Sequence, residues 1–138
     1  MKLQIVTDDR TAIKGYETFL LSDLNILSEE VTDNQCEEIL ASDTISLFSQ
    51  ENVFDFLGLL INKLRLNGTL TVSGIDPRLF CKGVLNGLIP QPTMNTLILQ
   101  SKCMLDVDLV KQFFQKNGLQ IERSTMSGLN YEITARRK

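Results

Sequence analysis

The side chains that could do chemistry here are carboxylates, and their spacing follows the strand pattern. Asp8-Asp9, Asp23, Asp43 and Asp76 all fall at or just past the end of a predicted β-strand. In an open α/β sheet, ligands bind outside the carboxyl ends of the strands. An acidic rim there could attract a cationic ligand, hold ribose hydroxyls or bind Mg²⁺ through oxygen. Asp at a strand-to-helix junction also serves simply as a helix N-cap. Histidine is absent, and the three cysteines (Cys36, Cys81, Cys103) are far apart with no CxxC pair. Ser-His-Asp and Cys-His catalysis are thereby excluded, along with the commonest zinc sites. No metal site is expected.

Composition narrows the partners. At 138 residues the chain is expected to form one domain. Its 43% hydrophobic and 22% charged content is that of an ordinary globule. A net charge of −3 argues against a nucleic-acid partner, which needs a basic face. An odd number of scattered cysteines suits a reducing compartment, so a cytoplasmic location is expected. Residues 1–6 lead directly into a strand pattern without a signal peptide. No apolar run is long enough to span a membrane, so no membrane partner is expected.

The elements that must position the carboxylates can be read in order. Residues 2–6 (KLQIV) form a short β-type run and residues 17–21 (ETFLL) a second. Only about ten residues separate them, room for a helix of one or two turns at most. Leu24, Ile26, Leu27 and Val31 are spaced for a short amphipathic turn. Residues 37–42 read as a buried strand. Ser49 is placed to cap a helix over residues 50–64, where Val53, Phe56, Leu57, Leu60, Ile61 and Leu64 recur at i, i+3, i+4 and i+7. Asn67-Gly68 predicts a left-handed turn closing that helix. The β-branched run 69–73 follows, and Pro77 stops it. Residues 79–86 predict a short helix, and residues 93–101 fit a helix better than a strand. Asp106 caps residues 107–117, with Leu105 and Val110 at the hydrophobic-staple positions. Residues 119–126 and 130–136 alternate around Ser127-Gly128 as a hairpin.

This order resembles a class I S-adenosylmethionine-dependent methyltransferase, in the style of the small type-11-like enzymes of phages and marine bacteria. The matching residues are Gly15-Tyr16, the Glu38-Ile39-Leu40-Ala41-Ser42 strand, residues 64–70 and Gly118-Leu119. The resemblance implies S-adenosylmethionine as cofactor. Thr7, Asp8 and Asp9 would then face its methionine portion, Asp23 its ribose, and Ala41, Ser42 and Asp43 the adenine or acceptor side. The departures lie on the same side. Residues 7–11 contain no glycine where the family carries its glycine-rich loop, which lets backbone approach the cofactor. The ribose acid falls on Leu20, and a Glu-His pair is replaced by Ser46-Leu47. One strand and one helix of the standard sheet are expected to be missing. Asp8-Asp9 is also similar to the acidic pair of phosphorelay receivers, but Gly74-Ile75-Asp76 stands where that family needs a lysine.

The expected fold is therefore α/β: a three-layer, Rossmann-like methyltransferase fold, truncated, with a mostly parallel sheet and a C-terminal antiparallel hairpin. Residues 37–42 and 69–73 should lie centrally, covered on both faces. Ile39, Ala41, Phe56, Leu60, Leu64, Leu70, Val72, Val110, Phe113 and Ile133 should form the core. A less covered sheet favours self-association, so a homodimer is expected. Two functions compete: methyl transfer to a small-molecule acceptor, and a non-catalytic domain kept as a binding or assembly module. Tyr16 could stack on a base or pack at the rim, and Gly74 could admit a ligand or start a turn.

Overall fold

The computed structural model describes the backbone of residues 1–138 and every side chain except that of Asp9. The short run KLQIV is strand β1 (Lys2–Val6), and β2 is Glu17–Leu20. Next come α1 (Leu24–Glu30), β3 (Cys36–Ala41), α2 (Gln50–Lys63) and β4 (Leu64–Ile75). The chain continues through α3 (Pro77–Leu85), α4 (Gln91–Gln100) and α5 (Val107–Lys116), and ends in the hairpin β5 (Leu119–Ser127) and β6 (Asn130–Arg137). The six strands lie in the order β2-β1-β3-β4-β6-β5. The first four are parallel, and β6 is antiparallel to both its neighbours. β3 and β4 are central, as the apolar runs require.

The faces of this sheet are unequal, and connection handedness explains why. Parallel crossovers are right-handed. The units β2-α1-β3 and β3-α2-β4 advance across the sheet in the same direction, so their helices land on the same face. Leu3, Ile5, Ile39, Ala41, Leu70, Val72, Tyr131, Ile133 and Ala135 point there and are at most 2% exposed. They join Leu27, five residues of α2, and Val110 and Phe114 of α5 in one core. The step from β1 to β2 runs the other way, and its helix would cover the opposite face. Residues 7–16 supply only a 3₁₀ turn, Asp9–Thr11. The cover expected on both faces is full on one and thin on the other. There Glu38, Leu40, Thr71 and Thr134 stay half-buried, and the Thr71 and Thr134 hydroxyls pair at 3.0 Å.

Asn67-Gly68 does not end α2; the strand begins at once at Leu64. It forms a bulge inside β4 instead, because β4 advances from Leu64 to Thr69 while its partner advances only from Cys36 to Glu38. Asn67 takes the left-handed conformation (φ 64°). A Cβ at Gly68 would lie 2.8 Å from the Cys36 carbonyl oxygen, so the bulge needs glycine there. Ser49 takes the N-cap position of α2 with extended backbone, but its side chain makes no capping hydrogen bond. Asp76 and Asp106 do cap: Asp76 Oδ2 accepts from Leu79 N at 3.0 Å and Asp106 Oδ1 from Asp108 N at 2.9 Å.

One core assignment is corrected. Phe113 is only partly buried, with its ring 4.9 Å from Phe54, whereas its neighbour Phe114 is fully buried. Successive helix residues point about 100° apart. Val110 and Phe114 share the inner face at i, i+4, which leaves Phe113 on its edge. We expect Phe114→Ala to cost about 3–5 kcal/mol and Phe113→Ala clearly less. Equal losses in urea unfolding would contradict this packing.

Candidate functional site at the carboxyl ends of the strands

Between β1 and β3 the strand order changes direction: β2 lies to one side and every later strand to the other. In open α/β sheets this switch point is where crevices form. A lobe of about 190 Å³ sits there, lined by Gln4, Ile5, Val6, Thr7, Thr11, Ile13, Leu40, Ser42 and Asp43. A second lobe of about 280 Å³ is lined by Ser42, Asp43, Ser73, Thr125, Ser127, Asn130, Tyr131 and Glu132. Ser42 and Asp43 line both.

Asp43 forms the ridge between the lobes. Its backbone is left-handed (φ 56°). Its N–H donates to Ser73 Oγ at 2.8 Å, and that hydroxyl donates back to Asp43 Oδ1 at 3.1 Å. The outer wall of the first lobe is the loop 7–16, held by Gln4. The Gln4 side chain is 8% exposed. Its Nε2 donates to the Thr11 carbonyl at 2.9 Å, and its Oε1 accepts from Ile13 N at 2.8 Å.

Of the residues expected at a site, Thr7, Ser42 and Asp43 are brought together at these lobes. The others stand elsewhere. Asp8 is turned to Arg10, whose guanidinium reaches it at 2.7 Å and holds its carboxyl below the usual range. The side chain of Asp9 lies outside the described residues. Asp23 is half-buried at the end of the 3₁₀ turn Leu21–Asp23 and lines neither lobe. Ala41 faces the core, fully buried. Asp76 is 3% exposed and committed to α3, though its Oδ1 has no partner among the described residues. Gly74 neither starts a turn nor opens to a ligand. It lies within β4, where a Cβ would come 3.3 Å from the Tyr131 hydroxyl.

Gln4 and Ser73 were not singled out by sequence reasoning, whereas Thr11 belongs to the stretch 7–11 expected to face the cofactor. The available signal was the polar Gln4 inside an otherwise apolar strand. Tyr16 is no free stacking surface either. Its hydroxyl donates to Glu38 Oε1 at 2.6 Å, and Lys2 Nζ lies 5.7 Å from its ring centroid. No group of three or more metal-ligating side chains occurs among the described residues. No described helix is long and apolar enough to cross a membrane.

No protein-family model and no curated protein sequence matches this chain. Solved structures do. A SAM-dependent methyltransferase from Archaeoglobus fulgidus aligns with a TM-score of 0.64 at 13% identity, over 96% of this chain and 74% of that one. Another from Aquifex aeolicus gives 0.58 at 12%, over 99% and 81%. Magnesium protoporphyrin IX methyltransferase from Synechocystis, solved with bound SAH, gives 0.58 at 14%, over 94% of this chain. The fold is class I methyltransferase-like. The chain spans only 56% of the Synechocystis enzyme's length.

S-adenosylmethionine would make demands of space and chemistry on this cleft. Pockets for ligands of this size hold about 300–1,000 Å³. The first lobe alone falls short, and the Gln4-pinned loop takes up the space a closely approaching backbone would use. The two lobes, which meet at Ser42 and Asp43, together reach that range. The oxygens of Thr7, Ser42, Asp43 and Ser73 suit a ligand bearing hydroxyl and amino groups. A ligand of that size would have to spread over both lobes.

The Glu38 contact has a consequence for pH. Hydrogen bonding to that carboxylate, with burial and the nearby acidic charges, pushes Tyr16 up to about 12. Burial first, and then nearby negative charge, also pushes Tyr131 up. A tyrosine whose folded value is raised contributes stability that is complete below its unfolded value near 10. That stability is lost as pH rises through the folded value. We therefore expect native phenolate absorbance to stay low near pH 10 and stability to fall between about 10 and 12. Glu38→Gln should bring one tyrosine's titration down. A full phenolate step near 10 in the folded wild type would refute the assignment.

Proposed function

We propose that this chain binds S-adenosylmethionine across the two-lobed cleft and transfers its methyl group to a small acceptor. The observation that carries the reading is the position of the cleft at the switch point between β1 and β3, with Asp43 at its centre. The bound cofactor would supply an activated methyl group for in-line displacement at a sulfonium carbon. That reaction depends mainly on alignment of two reactants, so a chain without histidine can support it. Thr7 and the loop beyond it border the first lobe and would orient the methionine portion. Asp43, freed from Ser73, would accept hydrogen bonds from the ribose hydroxyls. Ser42 lies between the lobes and would orient the acceptor side. Three free cysteines suit a reducing compartment, and we place the protein in the cytoplasm.

A second reading is a non-catalytic methyltransferase-like domain serving as a binding or assembly module. One observation favours it: Gln4 pins the loop 7–16, glycine-free over residues 7–11, at the wall of the first lobe.

Thermal shift and calorimetry with S-adenosylmethionine and S-adenosylhomocysteine separate the two. We expect stabilisation of about 2.7 kcal/mol at a hundredfold excess over Kd. Asp43→Ala should abolish it and Asp23→Ala should leave it. No shift with either ligand at millimolar concentration would overturn the enzyme reading and leave the module.

A further inference from the structure

Helix α4 is thinly supported by its own chain. It is ten residues long, and all ten remain exposed or half-exposed. Isolated helices shorter than about 12–15 residues are marginal in water, and most helical stability in proteins comes from packing an apolar face. Beyond the half-buried Met94 and Leu97, packing from outside the chain would supply what is missing. The sequence around α4 says what kind of surface it is. Residues 83–101, between Lys82 and Lys102, carry no charged side chain in a protein that is 22% charged. Leu85 and Leu99 are 85% exposed, Leu88 76% and Ile98 51%. Together they leave on the order of 500 Å² of apolar surface, the upper end of the largest patch on a typical monomer.

The same segment supplies a hollow to receive them. A groove of about 450 Å³ runs between α3 and the start of α4, with Leu79, Ile89 and Pro90 among its walls and Leu129 of the hairpin turn at its side. Knobs and groove thus lie on one stretch of chain, the arrangement an isologous two-fold contact requires. A standard interface needs about 800 Å² from each partner. The four exposed side chains provide more than half of that, and the half-buried Ile89, Met94 and Leu97 extend the patch. Charge points the same way. Each chain carries a net charge of −3, and the groove lining carries a single charge, Lys82, so like charges are few in the contact. A strongly charged partner would find only Lys82 to pair with in the groove.

We propose that α4 and the groove beside it form the face on which two copies of this chain associate. This inference does not depend on methyl transfer.

Sedimentation velocity and light scattering on the full chain test it, from one to several hundred micromolar. We expect a concentration-dependent dimer, with Leu99→Glu and Leu88→Glu each weakening it by at least about tenfold. Leu66→Glu is an exposed control outside the patch (68% exposed) and should leave the dimer intact. Both substituted leucines are exposed, so circular dichroism should show the variants folded. Amide exchange of residues 91–100 should slow as dimer forms. A monomer throughout the range would overturn the proposal. So would a dimer insensitive to both α4-side variants, or α4 amides protected equally at all concentrations.

Discussion

The one-sided burial of the sheet is the constraint on which the rest of this molecule depends. Two right-handed crossovers place α1 and α2 on one face, α5 joins them there, and the short link from β1 to β2 supplies no helix for the other. The chain solves the second face chemically. Its strands alternate, so the positions facing away from the core carry Thr71, Thr134 and Glu38, which tolerate water. Where cover is still needed, near β1, the loop 7–16 lies over Gln4. A buried amide left without partners costs about 1–3 kcal/mol. Gln4 finds both partners in the backbone of that loop. The loop is held shut by the needs of the fold, and it is also the wall of the first lobe.

Much of the fold was legible because it rests on periodicity. The pattern of Val53, Phe56, Leu57, Leu60 and Ile61 left no choice for α2, and Asp106 marked a helix start that the structure confirms. The misses share a cause. Asn67-Gly68 has turn chemistry, but whether a turn or a bulge forms depends on whether Leu64 already pairs with Cys36, which only the assembled sheet decides. Phe113 and Phe114 are adjacent, and choosing between them requires the helix's rotation about its axis, set by its packing on β5. Gly74 reads as a turn signal locally, yet its space is claimed by a tyrosine fifty-seven residues away on β6.

The site was less legible than the fold, for a related reason. Strand ends can be read from sequence, so a carboxylate at the end of β3 could be placed at the cleft, and Asp43 is there. Where a side chain turns after the strand ends cannot be read so directly. Asp8 has Arg10 two residues on, and the local pairing takes it. Asp23 closes a 3₁₀ turn beyond the edge strand, farther round the sheet than the lobes extend. Gln4 was hidden because a polar residue in a short strand ordinarily points to water. Only the thin cover of that face makes it a buried group whose hydrogen bonds position a loop.

These contacts also set which way the cleft can open. Moving the loop outward would strand the Gln4 amide and cost both of its backbone hydrogen bonds at a buried position. Separating Asp43 from Ser73 also gives up two hydrogen bonds, but Asp43 is exposed and its carboxylate turns to water, so only the Ser73 hydroxyl, 7% exposed, is left behind. Net hydrogen-bond contributions near 1 kcal/mol make that exchange small against the free energy of binding a ligand of cofactor size. A ligand that opened the Asp43–Ser73 contact would enter through the second lobe, past Asn130 and Glu132. The wall at β1 is the fixed side of the cleft and the ridge at Asp43 the movable one, because only the first is required by the fold.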